Sequence, residues 1–502
     1  MGESRLDLLL VFPPLSLRPG LKMSFGRSGG NLAPLGIATL AAFVREKGWT
    51  VAILDCPALS LSVEEALEKI AALKPKAVGF SATTYVYPMT AALAAGVREA
   101  EPGTLTILGG GHANIQHASP LQENDCFDVL CFGEGELTLW ELLEAYKACG
   151  YDRRRLLADE TSLAKIQGMT FRRAGGGLQE NPRRPWITDL DALPMPARDL
   201  LPMDRYLPFP MYYRNLPVHN MVVIRGCPFA CTFCDQGPLS NFQGRSRSPA
   251  KTIEEMKILV DQYGAKEIAF WDDTLTYNKR WIREFCTLLE KEKLGVEWNC
   301  YAAIRTVDRE SLALMKRAGC WKIYYGVETG NEDLMKHIKI DRKNGNLDLV
   351  RETLRWTREA GIETHCSFML GVPGETPEKA QKTIDFAIEL DPDYAQFSIT
   401  TTYPGTELYV ELEKFGKLTT RDWRDYHGWE AVFLPFGYES TVQLKRMEKR
   451  AYKSFFLRPS YLMKKTRSIR SWVDVKRYYH GFRILTDGFL LRNPAHGFNV
   501  RG

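Results

Sequence analysis

The sequence has no uninterrupted apolar stretch near the ~18 residues that a membrane-spanning helix needs, so no spanning segment is expected. Its first apolar run, Leu8-Leu9-Leu10-Val11-Phe12, stops at Pro13-Pro14 and has the length of a buried strand. The basic start and long apolar run of a secretory signal are also missing, and a cytoplasmic location is expected. No G-x-G-x-x-G follows the first strand-like run, which disfavours a Rossmann dinucleotide site. Cysteine, by contrast, is present eleven times. An odd number without an export signal argues against a disulfide framework and for a reducing compartment, where a tight cysteine cluster reads as metal or redox chemistry.

A chain of 502 residues suggests about three units. Residues 6–12 read as a buried strand, followed by a helix over 35–47 closed by Gly48 and a strand over 50–54. The alternation continues with helix 63–73, strand 77–81, helix 88–100, strands 104–108 and 128–132, and helix 136–148. Over 1–150 this implies an α/β fold, a doubly wound parallel sheet with right-handed crossovers and ligands at the carboxyl ends of its strands. Thr83, Thr84, Gly109, Gly110, Gly111, His112, Gly133, Glu134 and Gly135 stand at those ends, and glycines there let a backbone approach a ligand closely. Residues 151–217, rich in Arg, Gly and Pro without a sustained period, read as a linker with a small hairpin.

Alternation resumes over 218–410. Strands at 220–225, 266–271, 296–301, 321–327, 362–370 and 393–399 are separated by helices at 251–262, 278–293, 308–318, 346–359 and 376–389. Six strand–helix units predict a partial (β/α)6 TIM-like barrel whose chemistry sits on the loops after the strands. A helical, basic region is expected over 411–502. From Thr441 onward there are 15 Lys and Arg against 3 Asp and Glu, a local charge of +12, while the chain as a whole carries only +5.

After the first of these strands comes Arg225-Gly226-Cys227-Pro228-Phe229-Ala230-Cys231-Thr232-Phe233-Cys234, a C-x3-C-x2-C spacing. Three thiolates within eight residues can wrap one face of an iron–sulfur cluster. Three ligands for four irons leave one iron open to a reactant. A zinc knuckle would want a fourth Cys or His nearby, and a ferredoxin-type electron carrier a fourth cysteine with its own spacing. Neither follows in this loop.

On these residues the stretch 218–410 resembles the radical S-adenosylmethionine (SAM) superfamily, with Phe233 as the aromatic of the C-x3-C-Φ-x-C motif. The resemblance implies a 4Fe–4S cluster on Cys227, Cys231 and Cys234, with SAM chelating the open iron through its amino and carboxylate groups. One electron then splits the sulfonium to give a 5′-deoxyadenosyl radical. It also implies SAM contacts at successive strand ends: Phe233, Asp272 and Asp273, Arg305 for the SAM carboxylate, Glu328, Gly371 and Glu375. Asp272-Asp273 departs from the family's commoner Gly-Gly-Glu. Asp272 and Glu375 have the alternative of capping helices. An electron donor of flavodoxin or ferredoxin type is implied as partner.

Phe12-Pro13-Pro14, Pro34-Leu35-Gly36, Gly109-Gly110-Gly111-His112-Ala113 and Gly133-Glu134-Gly135-Glu136, in this order ahead of the barrel, resemble the cobalamin-binding domain of one radical SAM subclass. That subclass includes methyltransferases and anaerobic cyclases. The D-x-H-x-x-G motif that brings a histidine to cobalt in many cobalamin proteins is absent. Cobalt would then have no protein imidazole unless His112 or His117 reaches it, and His112 has the equal alternative of capping the following helix.

The tail interleaves Lys and Arg with Tyr, Phe, Leu, Ile and Trp over 445–483. Such a pattern suits contact with an anionic membrane surface, stacking on nucleic acid, or a solvated bundle over the barrel mouth. The solvated bundle weighs at least as much as the other two together; peripheral membrane contact stays open beside it, and no nucleic acid partner is expected. By resemblance the expected activity is methylation of an unactivated carbon of a small, lipid-like or tetrapyrrole substrate, using SAM, the cluster and cobalamin. In it the adenosyl radical abstracts hydrogen, methylcobalamin gives the methyl group, and a second SAM restores it. The alternatives are non-methylating oxidative cyclisation or ring rearrangement. From other classes they are a tRNA methylthiotransferase, which needs a second N-terminal cluster, and an iron–sulfur electron carrier.

Overall fold

The structure, a computed structural model, describes residues 6–15, 30–469 and 472–486, with the side chain of Val473 left out. Residues 487–502, part of the expected basic tail, lie outside the described residues. The chain divides into two compact units, one ending at Tyr206 and the other running from Leu207.

The first unit holds a seven-stranded sheet. Its strands are β1 (Leu8–Phe12), β2 (Val51–Asp55), β3 (Ala77–Ser81), β4 (Leu105–Gly109), β5 (Val129–Cys131), β6 (Met169–Arg172) and β7 (Leu178–Glu180), in the order β2-β1-β3-β4-β5-β6-β7. The first five are parallel. Apolar runs such as Leu8–Val11 are buried throughout because helices cover both faces. Ser62 and Glu65 form a reciprocal cap that starts the helix Val63–Leu73. The order 2-1-3-4-5 reverses between β1 and β3, the switch point at which such sheets open a ligand crevice. The stretch expected as a linker differs in part. Its hairpin, β6 with β7, pairs antiparallel onto β5 and extends the sheet, because alternate residues such as Met169 and Phe171 are fully buried in the same core.

The second unit is built on β8 (Val218–Met221). A two-residue pair follows, β9 (Ile224–Arg225) against β10 (Arg245–Ser246), and then β11 (Glu267–Phe270), β12 (Glu297–Ala302), β13 (Cys320–Glu328), β14 (Glu363–Leu370) and β15 (Tyr394–Ile399). The order β15-β14-β13-β12-β11-β8 is sequential and parallel, as a partial barrel requires. Rings from several elements fill its interior. Tyr212 lies 5.3 Å from Trp271, 5.4 Å from Tyr324 and 5.8 Å from His365, centre to centre. The region after 411 is not helical at its start: β16 (Gly416–Leu418) pairs with β17 (Phe433–Pro435). Helices Thr441–Phe456, Pro459–Arg467 and Trp472–Leu485 follow. The Tyr452 hydroxyl accepts from the Phe397 amide (3.2 Å) and donates to its carbonyl (3.0 Å), so this helical layer covers the open edge of β15.

Candidate active site

The cysteine loop leaves the barrel through β9 and returns through β10. Asp272, just past β11, sets its starting point, since one carboxylate oxygen accepts from the amides of Val223 (2.7 Å) and Ile224 (2.5 Å). Gly226 has φ +88° and a Cβ there would stand 2.3 Å from the Gln243 carbonyl, so only glycine permits the turn into Cys227. The Ser240 hydroxyl accepts from the Cys227 amide and donates to the Gln236 carbonyl. Cys231, Phe233 and Cys234 pack on an apolar cluster of Leu334, Met335, Ile338, Ile340 and Val372. The loop is therefore held from both sides before any metal binds.

Burial pushes the Cys231 thiol up to about 11 and Cys234 up to about 12, and raises Cys227 as well. Groups that favour thiolates oppose it: the Phe229 amide and Thr274 hydroxyl at Cys227, the Gln236 amide at Cys234, and the Lys343 ammonium acting on Cys227 and Cys231. Buried thiols with amide donors on sulfur are what an iron–sulfur cluster uses, because the metal deprotonates the thiol outright. The loop offers three thiols and no fourth Cys or His beside them, the donor set of a cluster with one open iron and not of a four-ligand zinc knuckle. The residues present fit the cluster.

Lys343, on the short helix Asp341–Asn344, carries no sequence signal of its own and was not anticipated. Its ammonium sits 3.5 Å from the Glu328 carboxylate, both side chains being nearly buried. Glu328 has φ +70°, a costly conformation for a residue other than glycine. It follows a bulge between β13 and β14 that turns its side chain. Asp273 is exposed beside Asp272, and desolvation with the Asp235 charge lifts its carboxyl to about 6 against the Lys343 ammonium. Arg305 is exposed at the end of β12, its Nε 3.3 Å from where a Cβ on Gly345 would lie.

Three further residues expected at the SAM site have their side chains engaged within the protein or sit under packed neighbours. Asp272 is buried and engaged with backbone amides. Glu375 is fully buried, accepting from the Gly371 amide (2.5 Å) and the Tyr438 hydroxyl (2.6 Å). Gly371 packs so closely under the C-terminal layer that a Cβ would lie 2.8 Å from a Leu444 methyl. Asp272 and Glu375 hold loops in place through these bonds, while Lys343 pairs with Glu328 and also acts on Asp273.

In the first unit the ends of β3, β4 and β5 meet. The Ala82 amide donates to the Gly109 carbonyl (3.0 Å), the His112 amide to the Ala82 carbonyl (2.9 Å), and the Gly133 amide to the Asn114 side chain (2.5 Å). Gly110 has φ +92° and a Cβ there would stand 2.7 Å from the Ala82 nitrogen. Thr83 and Gly111 face outward, Gly133, Glu134 and Gly135 are half-buried, and Glu134 accepts from the Ile187 amide. This is a glycine-lined cradle at a strand-end crevice, which suits a large flat cofactor. His112 does not serve it through the imidazole. It is 1% exposed, its ring stacked 4.2 Å from Tyr87 and its Nδ1 3.3 Å from the buried Thr84 hydroxyl, and burial holds it down at about 4. His117 is stacked on Phe132, and its Nε2 lies 2.8 Å from the Asn114 carbonyl.

Comparison with known proteins agrees with both sites. Residues 221–387 match the radical SAM superfamily and residues 22–143 match the B12 binding domain. An uncharacterised methyltransferase of Pyrococcus horikoshii is 32% identical over 460 residues, which cover 91% of this chain and 94% of that protein. The chain belongs to the cobalamin-binding radical SAM family. It is an enzyme, with a 4Fe–4S cluster, SAM and cobalamin as its cofactors. The anaerobic magnesium-protoporphyrin IX monomethyl ester cyclase of Rubrivivax gelatinosus is 28% identical over 456 residues, 89% of this chain and 78% of that protein. Among solved structures, the radical SAM methyltransferase TsrM from Kitasatospora setae, with cobalamin and a 4Fe–4S cluster bound, has a TM-score of 0.69 at 17% identity. It covers 97% of this chain and 100% of that one, a likeness of fold.

Proposed function

We propose that the enzyme transfers a methyl group from SAM to an unactivated carbon of a small hydrophobic substrate, lipid-like or tetrapyrrole in character. The observation that carries this reading is the near full-length likeness to a protein named as a methyltransferase, in a chain that joins both domains. Cys227, Cys231 and Cys234 would hold the cluster, and the loops at 83–84, 109–111 and 133–135 the corrinoid. When bound, the cluster supplies the electron that cleaves SAM and the corrinoid supplies a methyl-carrying metal. Within the chain, Arg305 offers a guanidinium for the SAM carboxylate. Glu328 offers an acceptor for the SAM amine or ribose, and Lys343 balances the charge of the thiolates. The aromatic interior around Tyr212 excludes water from the barrel beneath.

A second reading, oxidative cyclisation without methyl transfer, is favoured by the likeness to the cyclase. The products distinguish the two. Protein reconstituted anaerobically with iron, sulfide and hydroxocobalamin, then given reductant, SAM and candidate substrates, should form 5′-deoxyadenosine and S-adenosylhomocysteine together, with SAM-derived carbon in the product. Deoxyadenosine without S-adenosylhomocysteine would support cyclisation and sink methyl transfer. Cys227→Ala should lose iron and keep corrinoid; loss of both would contradict the separate sites.

An electron donor of flavodoxin or ferredoxin type and peripheral membrane contact belong to the same proposal. No helix among the described residues is long and apolar enough to cross a membrane. Exposed Leu462, Met463, Ile469, Trp472 and Phe482 in the basic tail support surface contact. Co-sedimentation with vesicles of anionic but not neutral lipid is the expected result, and equal recovery in both supernatants would remove it.

A further inference from the structure

A cavity lies in the C-terminal layer, away from the cysteine loop and the strand-end carboxylates. It has a volume of about 290 Å³ and lies between β15, the segment Phe209–Tyr212 and the three C-terminal helices. That is near the lower end of the ~300–1,000 Å³ typical of small-molecule sites. Its walls are largely apolar and aromatic, including Phe209, Tyr212, Tyr452 and Tyr461, and exposed Leu462 and Phe482 stand among its lining residues.

One charge in this lining is not accounted for. The neighbouring cations each have a carboxylate: Lys464 with Asp391 and Asp393, both at 3.3 Å, Arg477 with Asp474 at 3.3 Å, and Lys322 with Glu363 at 3.7 Å. Lys465 has no carboxylate within 4.0 Å and no hydrogen-bond acceptor among the described residues. Its ammonium is met only by ring faces, 3.8 Å from the centre of Tyr394, 5.6 Å from Tyr461 and 5.8 Å from Tyr478. Burial holds the Lys465 ammonium down at about 8, with Asp393 and Glu363 attracting it only from farther off. The Tyr394 ring also takes the Lys322 ammonium at 4.0 Å, so positive charge is concentrated here. A half-buried ammonium inside an apolar cavity is costly unless something pairs with it.

We propose that this cavity is a binding site for an amphipathic anion, a molecule with a compact hydrocarbon or aromatic body and a single carboxylate, phosphate or sulfonate, and that Lys465 is its anchoring cation. The apolar walls take the body and the ammonium takes the head. Tyr394, Tyr461 and Tyr478 hold the ammonium in place while no anion is bound. The site is independent of the methyl-transfer reading, since none of its residues belongs to the cluster loop or the strand-end carboxylates.

Isothermal titration of the full-length holoprotein tests it with two probes of the same body, anilinonaphthalene sulfonate and the uncharged phenylnaphthylamine. Wild type should prefer the sulfonate by roughly tenfold, the size of a charge-assisted contact in a low-dielectric site. Lys465→Met should abolish that preference while still taking the neutral probe, and Lys465→Arg should restore it. Gly481 lines the cavity, and a Cβ there meets nothing within 4 Å. The side chain of Gly481→Phe therefore starts into open space at the cavity wall and should displace both probes. Sulfonate binding unchanged in Lys465→Met, or either probe bound normally by Gly481→Phe, would overturn the proposal.

Discussion

Glu267, at the start of β11, is fully buried and receives four N–H groups. The amides of Arg214 (2.7 Å) and Asn215 (2.8 Å) donate to one oxygen; Asn299 Nδ2 (2.8 Å) and Trp321 Nε1 (2.9 Å) donate to the other. It thereby ties the segment carrying Tyr212 to the foot of the barrel. Glu267→Gln preserves shape but replaces one acceptor oxygen with an NH2 group that faces donors. Whichever way the amide turns, two buried N–H groups lose their acceptor. At about 1–3 kcal/mol for each orphan, the loss is about 2–6 kcal/mol. Removing the charge returns little, because burial already lifts this carboxyl to about 7. At roughly 2–4 °C per kcal/mol for a large domain, the calorimetric transition of the barrel unit should fall by about 5–20 °C. Differential scanning calorimetry of the reconstituted protein measures it. Iron content at 25 °C should hold, since the cysteine loop lies at the opposite ends of the strands. Asn299→Ala is the control: it removes one donor from Glu267 Oε1, leaves Trp321 on that oxygen and orphans none of the remaining N–H groups. A fall below about 2 °C for Glu267→Gln, or one no larger than the control, would refute the reasoning.

The same substitution at Glu375 should behave in the opposite way. Both of its donors reach a single oxygen and the second oxygen is buried without a partner, so glutamine keeps every bond. Burial raises this carboxyl to about 7; the folded state therefore holds the proton more tightly than the unfolded one. Its contribution is complete below about pH 4.5 and is lost as pH rises through 7, up to about 3 kcal/mol. Wild type should lose thermal stability from pH 5 to pH 8, and Glu375→Gln should make that slope shallower, the buried Glu267 and Asp272 carboxyls, also lifted to about 7, keeping the rest; an unchanged slope would exclude Glu375 as a contributor. Gly226→Ala forces a Cβ to within 2.3 Å of the Gln243 carbonyl and should reduce bound iron severalfold with corrinoid retained, by colorimetric iron and visible absorbance. Gly110→Val should do the reverse, removing corrinoid and sparing iron. Lys343→Met leaves Glu328 buried without its partner and should cost roughly 3 kcal/mol. Most of that should return in the double variant with Glu328→Gln, a coupling that thermal denaturation can measure.

Period and spacing alone made much of this protein legible. The strands over 77–81 and 363–370 and the helices over 63–73 and 347–359 follow from local apolar patterns, which survive into the fold because each element buries its own periodic face. The cysteine motif was equally legible, since its three thiols lie within one short loop whatever the rest of the chain does. What sequence could not rank was which strand-end polar residue faces the opening. Asp272 and Asp273 are neighbours, yet one is buried and locked onto the Val223 and Ile224 amides and the other is exposed. Backbone direction at a single residue decides that. Lys343 reaches the thiols from more than a hundred residues away, and His112 turns inward onto Tyr87. The cavity around Lys465 exists only because helices after 441 close over the open edge of β15. Local patterning fixes which residues are inside an element and which short motifs act together. Long-range packing alone decides which charges are paired, which are buried, and which are left facing an open space.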